Sequence, residues 1–185
     1  KRDQNNVIHN HDLDCWTAPF IMASINTRIV RRSNALMNFN YGRNFSYTES
    51  TICGKKASGW IKAVLLTLVL GLFVLGSANH ITRKYLIEKL LPKPGQGPSK
   101  KQRNNGFFKL IMLGRTKNDE RLSIEVTGDR DPGYGSTSKI LSETAICLAS
   151  DKIDTKGGIW TPASALGKKL ILRLQTNAGM TFKIL

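Results

Sequence analysis

The densest collection of residues able to do chemistry lies at Thr127-Gly128-Asp129-Arg130-Asp131-Pro132-Gly133-Tyr134-Gly135-Ser136-Thr137. Leu122–Thr127 reads as a strand and about 136–150 as a helix, so a Gly-rich turn is delivered onto a helix N-terminus. Free backbone N–H groups gather there and suit an anion. Two readings stay open, a weak phosphate cradle and a strand-to-helix turn that needs glycine geometry. The stretch is neither GxxxxGK[ST] nor GxGxxG. His9, His11 and Cys15, with Asp12 and Asp14 between them, imitate a metal cluster. Their spacing matches no zinc pattern, so solvated loop residues are expected and no metal site. Neither GxSxG nor HExxH occurs, and no catalytic acid or base can be assigned. His80 reads as an interface residue.

The elements that would position these groups follow from periodicity and punctuation. Residues 1–14 read as loop or strand end. Thr17 is placed to cap a helix, Pro19 to sit in its first turn, and apolar residues from Phe20 to Leu36 recur at helical spacing, so one helix is expected over 18–37. Phe45–Ile52 alternates rings with polar residues and reads as a strand. Ser99 caps a short basic turn over 100–105. Strands over 107–113 and 122–127 flank a hairpin loop over 114–121. Helices over about 136–150 and 162–176 and a strand over 180–184 complete the chain.

Ser58–Ala78 stands apart from all of these. The 17 residues Ala63–Asn79 carry no charge, within the roughly 17–25 residues of a spanning helix. Between Ser50 and Asn118 there are 13 Lys and Arg against Glu88 alone, which is +12 of the total +15. Cations beside an apolar helix suit anionic headgroups, at about 1 kcal/mol each. An amphipathic, basic helix is expected over 81–91, stopped by the Pro- and Gly-rich run Pro92–Pro98. The run over 58–78 is therefore expected as a peripheral anchor on an anionic membrane, with Trp60, Leu65, Leu68, Leu72 and Phe73 touching lipid. Nucleic acid is not an expected partner, because the basic residues flank Leu and Val and are not interleaved with exposed aromatics. Three widely spaced cysteines point to free thiols in a reducing, cytoplasmic setting.

Several stretches, in order, resemble the saccharopine dehydrogenase-like oxidoreductases, the group that includes the trans-acting enoyl reductases. They are Trp16–Phe20 with Asn26–Leu36, the connector Leu90–Ser99, Thr127–Thr137, and Gly157–Ala163. The resemblance implies an NAD(P)-dependent oxidoreductase with an N-terminal Rossmann domain and a second, mixed-sheet domain. Members often carry an apolar segment at the position of 60–78. This chain shows no βαβ unit with GxGxxG and opens on Lys1-Arg2-Asp3-Gln4, so it is expected to be the later part of a larger protein, inactive and unable to bind NAD(P) by itself. Its expected fold class is α+β, a mixed sheet flanked by helices with one long apolar helix. It divides as 1–57 (first part of the catalytic domain), 58–98 (apolar helix, amphipathic helix and connector) and 99–185 (second part). The resemblance places Asn26, Arg28 and Arg31 toward a substrate cleft. It places Gly133, Tyr134, Thr137, Trp160 and Thr161 near a junction with the missing Rossmann partner domain. The expected function is a membrane-associated reductase acting on an unknown substrate, with a lipid as one candidate. The alternative is a non-catalytic lipid-surface module that keeps the fold.

Overall fold

The computed structural model describes residues 3–90, 92–93 and 95–185, with the side chains at 86–88 and 90 outside that description. Contacts divide the chain after residue 94 into two compact units.

In the first unit, β1 (Ile8–Asn10), β2 (Cys15–Pro19) and β3 (Ser50–Gly54) form an antiparallel sheet in that order. The helix expected from residue 18 starts later, as α1 (Ala23–Leu36). Thr17 is committed to the sheet. Its side chain is buried, donates to the Ile8 carbonyl at 3.0 Å and meets Gln4. It therefore caps nothing, and Pro19 closes a strand opposite Ser50. The strand expected over 45–52 is also displaced, to 50–54. The alternation of Phe45 and Tyr47 serves ring packing instead, with Tyr41–Phe45 centroids 5.2 Å apart and Phe45–Tyr47 6.4 Å apart.

From β3 the chain turns through Gly54 into α2 (Lys56–Ala78), which packs on β2 and β3 through its first turns. Gly59 lies so near the Gly54 backbone that a Cβ there would collide with the Gly54 carbonyl. Such close backbone approach is what small residues permit. Gly59 and Ala63 are the buried residues of α2. A break at Asn79 leads to α3 (His80–Leu90). Leu91 and Pro94 of the connector motif lie outside the described residues.

The second unit opens on α4 (Lys100–Asn105), where Ser99 and Gln102 form a reciprocal capping box as expected. The hairpin β4 (Phe108–Arg115) and β5 (Arg121–Gly128) pairs in unbroken register from Phe108↔Gly128 to Arg115↔Arg121. Gly128 is required there, since a side chain would collide with the Phe108 ring. α5 (Gly135–Ser150) and α6 (Pro162–Asn177) follow, and β6 (Met180–Ile184) joins β5 antiparallel. Thr161 caps α6 with Ser164, and α6 kinks at Gly167, whose φ is +51°. Every described strand pair is antiparallel. The α+β class holds, but the one mixed sheet expected is instead two separate three-stranded sheets. Parallel pairing needs crossover connections, and within each unit the strands follow by tight turns or by returns that reverse direction.

The core of the second unit joins Val126 and Met180 of the sheet to Cys147 of α5 and to Leu166, Leu170 and Leu174 of α6. The spacing of four along α6 places the three leucines on one stripe. Leu170→Ala should cost about 2–5 kcal/mol, whereas Ile171→Ala, 41 % exposed one residue on, should stay within about 0.5 kcal/mol. Chemical unfolding of the two variants against the parent checks this.

Candidate functional site

The polar residues of α1 are spent largely on holding the loop that follows it. Asn26 donates to Glu49 Oε2 at 2.9 Å, and the Tyr47 hydroxyl donates to Glu49 Oε1 at 2.9 Å. Burial, then the carboxylate it serves, pushes the Tyr47 phenol up to about 12. Arg31 turns back on its own helix, bonding the Thr27 carbonyl at 3.0 Å and its hydroxyl at 2.7 Å, with Asp3 3.8 Å away. Asn34, which sequence reasoning passed over, is buried and clasps the loop from both sides. It donates to the Gly42 carbonyl and accepts from the Tyr41 N–H. Of the three expected cleft residues, Arg28 is exposed and makes no hydrogen bond or ion pair among the described residues. It is the cation of the trio left available to an outside group.

The Gly-rich turn before α5 is already filled by the chain itself. The Asp131 carboxylate accepts from Gly133 N at 3.0 Å, Tyr134 N at 3.2 Å and Gly135 N at 2.6 Å. Three N–H donors, led by Gly135, hold its pKa below the usual carboxylate range. The Ser136 hydroxyl donates to the Arg130 carbonyl and that of Thr137 to the Pro132 carbonyl. A phosphate would have to displace a carboxylate bonded to three backbone donors, so the structural reading of this turn prevails over the cradle. Gly133, Tyr134 and Thr137 are gathered by this turn. Tyr134 is 55 % exposed, and its ring lies against Gly97. Trp160 and Thr161 stand at the start of a different helix, α6. The Trp160 ring N–H donates to the Lys156 carbonyl at 2.8 Å, and Thr161 is buried as the cap.

The strongest electrostatic cluster was not singled out from the sequence. Arg173 grips Asp151 through two hydrogen bonds, Nε at 2.7 Å and Nη2 at 2.6 Å, and reaches Glu143 Oε2 at 3.1 Å. Asn177 donates to the same Glu143 oxygen at 3.0 Å. The Arg173 fork, with a lesser contribution from the Cys147 thiol, holds Asp151 down at about 2. Burial, then Asp151, pushes the Cys147 thiol up, which makes it a poor nucleophile. The signal was present as Glu143 and Cys147 on α5 and Asp151 just past its end, at spacing four, and Arg173 and Asn177 at spacing four on α6. All four polar groups are paired with one another, so the cluster reads as a clamp between α5 and α6.

His9 and His11 pack edge to face, His9 against Trp16 as well, and no metal-holding group occurs among the described residues. Along α2 the expected lipid contacts are open. Trp60 is 47 % exposed, Leu65 and Leu68 57 %, Leu72 68 %, and Phe73 is half-buried. α2 is long and apolar enough to cross a membrane, by length and composition.

No family model and no solved structure matches the chain. A Mycobacterium tuberculosis protein whose name carries the words trans-acting enoyl reductase is 40 % identical over 164 residues, 86 % of this chain and 39 % of its own length. Proteins named trans-acting enoyl reductase from Mycobacterium bovis and Mycobacterium leprae are 37 % identical over the same shares. The likeness in each case extends over most of this chain. The chain spans about two-fifths of the length of the curated relatives it matches.

The Asp151 clamp has a defined acid signature. Its depressed pKa means that the stability it brings is full above the ordinary carboxylate value near 4 and is lost as pH falls from there to about 2. Asp151→Asn should lower the melting temperature at pH 7 and flatten its fall between pH 4 and pH 2, as read by circular dichroism. A parallel fall in both proteins would contradict the clamp.

Proposed function

We propose that this chain is the substrate-side and membrane-side part of an NAD(P)-dependent reductase of the saccharopine dehydrogenase-like type, held at a membrane and acting on a lipidic enoyl substrate. The observation that carries the membrane half of the reading is α2, whose apolar side chains are exposed along most of its length. The reductase half rests on relatives at 37–40 % identity that are named for enoyl reduction.

The residues described here do not fit a dinucleotide. The one Gly-rich strand-to-helix turn has its N–H groups occupied by Asp131. Binding of NAD(P) is therefore assigned to a Rossmann partner domain outside this chain. On this side, Arg28 is the candidate to meet an anionic group of the substrate, because a guanidinium matches a carboxylate or phosphate in two-point fashion. Asn26 and Arg31 shape α1 from behind, through Glu49 and Thr27. Exposure of α2 also favours a second reading, a lipid-surface module without catalysis.

The experiment that separates these follows NAD(P)H consumption with a long-chain enoyl thioester presented in phospholipid vesicles. The protein is the longer form in which this chain follows a dinucleotide-binding half. Turnover is expected, with Arg28→Ala raising KM about tenfold or more, the loss expected for a charge-assisted contact of about 1.5–3 kcal/mol. This chain alone should consume none. No turnover by the longer form would remove the reductase reading and leave the lipid-surface module.

A further inference from the structure

Resting on the membrane association proposed above, we propose that α2 enters an anionic phospholipid bilayer end-on, surrounded by hydrocarbon on all sides, instead of lying along its surface. A helix that lies in the interface has one apolar and one polar face. α2 has no polar face beyond its root. Leu65 and Val74 stand nine residues apart, hence on opposite sides at 3.6 residues per turn, yet they are 57 % and 60 % exposed. Leu68, Val69, Leu72 and Leu75 are 57–71 % exposed around the same stretch. Thr67 bonds its hydroxyl back to the Ala63 carbonyl at 2.8 Å, so its donor is satisfied within the helix.

The way α2 is held leaves it free to enter. Full burial on α2 is confined to the first two turns, at Gly59 and Ala63; further along the same face Leu66, Leu70 and Phe73 are only half-buried, and the other leucines and valines are mostly exposed. The uncharged run Ala63–Asn79 is 17 residues, about 26 Å at 1.5 Å per residue, against a hydrocarbon layer of about 30 Å. Both ends carry side chains that favour the headgroup layer. Trp60 and Lys62 precede the run. Arg83, Lys84 and Tyr85 follow it, with the Lys89 ammonium 5.6 Å from the Tyr85 ring centre.

Magnitudes decide the mode. Fully burying a Leu or Val side chain contributes about 1.5–3 kcal/mol, and a juxtamembrane cation about 1 kcal/mol. Lying flat would bury roughly half of the exposed leucines and valines and leave the rest in water. End-on entry buries them all and keeps the cations at headgroups. The cations that flank the run within the first unit, Lys56 and Lys62 before it and Arg83, Lys84 and Lys89 after it, select an anionic bilayer as the occupant.

The test places an environment-sensitive fluorophore at Leu65→Cys or Val74→Cys, in the full chain with Cys15, Cys53 and Cys147 replaced by alanine. Vesicles of phosphatidylcholine and phosphatidylglycerol are added, with or without doxyl-labelled lipid. Both sites should brighten several-fold, shift to the blue and be quenched by the doxyl groups. Leu68→Cys and Leu70→Cys, on another pair of well-separated faces, repeat the comparison should either first variant fail to fold. A response at one face of each pair would overturn end-on entry and keep membrane association. Silence at both faces would remove both and point to a protein surface covering α2. None of these readouts involves reduction, so the reductase reading stands or falls separately.

Discussion

At Gly59 the absence of a single carbon lets α2 rest its backbone against Gly54, and the first unit is built around that contact. Any side chain at residue 59 would lift the helix from β2 and β3, because the obstacle is a backbone carbonyl that cannot move aside. Gly54 itself has a φ of +113°, which suits glycine, so both partners in the contact are fixed by conformation as well as by space. The contact is tight but short. It secures the root of a 23-residue helix and leaves the remainder to find its own environment. In water that remainder would expose leucine and valine along most of its length, and a bilayer removes the cost.

The second unit is organised differently, by polar groups that satisfy one another. Asp131 closes the start of α5, the Ser99–Gln102 and Thr161–Ser164 boxes close the starts of α4 and α6, and Arg173 ties α6 to Asp151 and Glu143 of the α5 segment. Asp131 looks chemical in the sequence and proves architectural in the fold.

How much was legible in the sequence follows from which forces acted locally. The α4 cap, both strands of the β4–β5 hairpin, α5, α6 and β6 were readable, because their turn residues and periodicities agree with the packing they enter. β2 was misread as a helix start because Thr17 and Pro19 suit either role. What decided it was pairing with Ile8 and Ser50, a choice no local pattern contains. The strand expected at 45–52 failed for a related reason, since ring stacking among Tyr41, Phe45 and Tyr47 imitates the alternation of a strand. Among the site residues, Asn26 and Arg31 proved to be engaged locally, and Arg28 remains outward. The Arg173 clamp was written in the sequence as two sets of spacing four, but nothing there said that the two helices face each other.

Whether the exposed length of α2 belongs in lipid is answered most directly by flotation. The chain and its Leu68→Asp variant, mixed with anionic liposomes, are centrifuged through a density gradient. A charge near the centre of an inserted helix costs about 2.5–3.5 kcal/mol, so the parent should float with the liposomes and the variant should remain mostly at the bottom. Equal flotation of both proteins, or of neither, would contradict the placement of α2 in lipid.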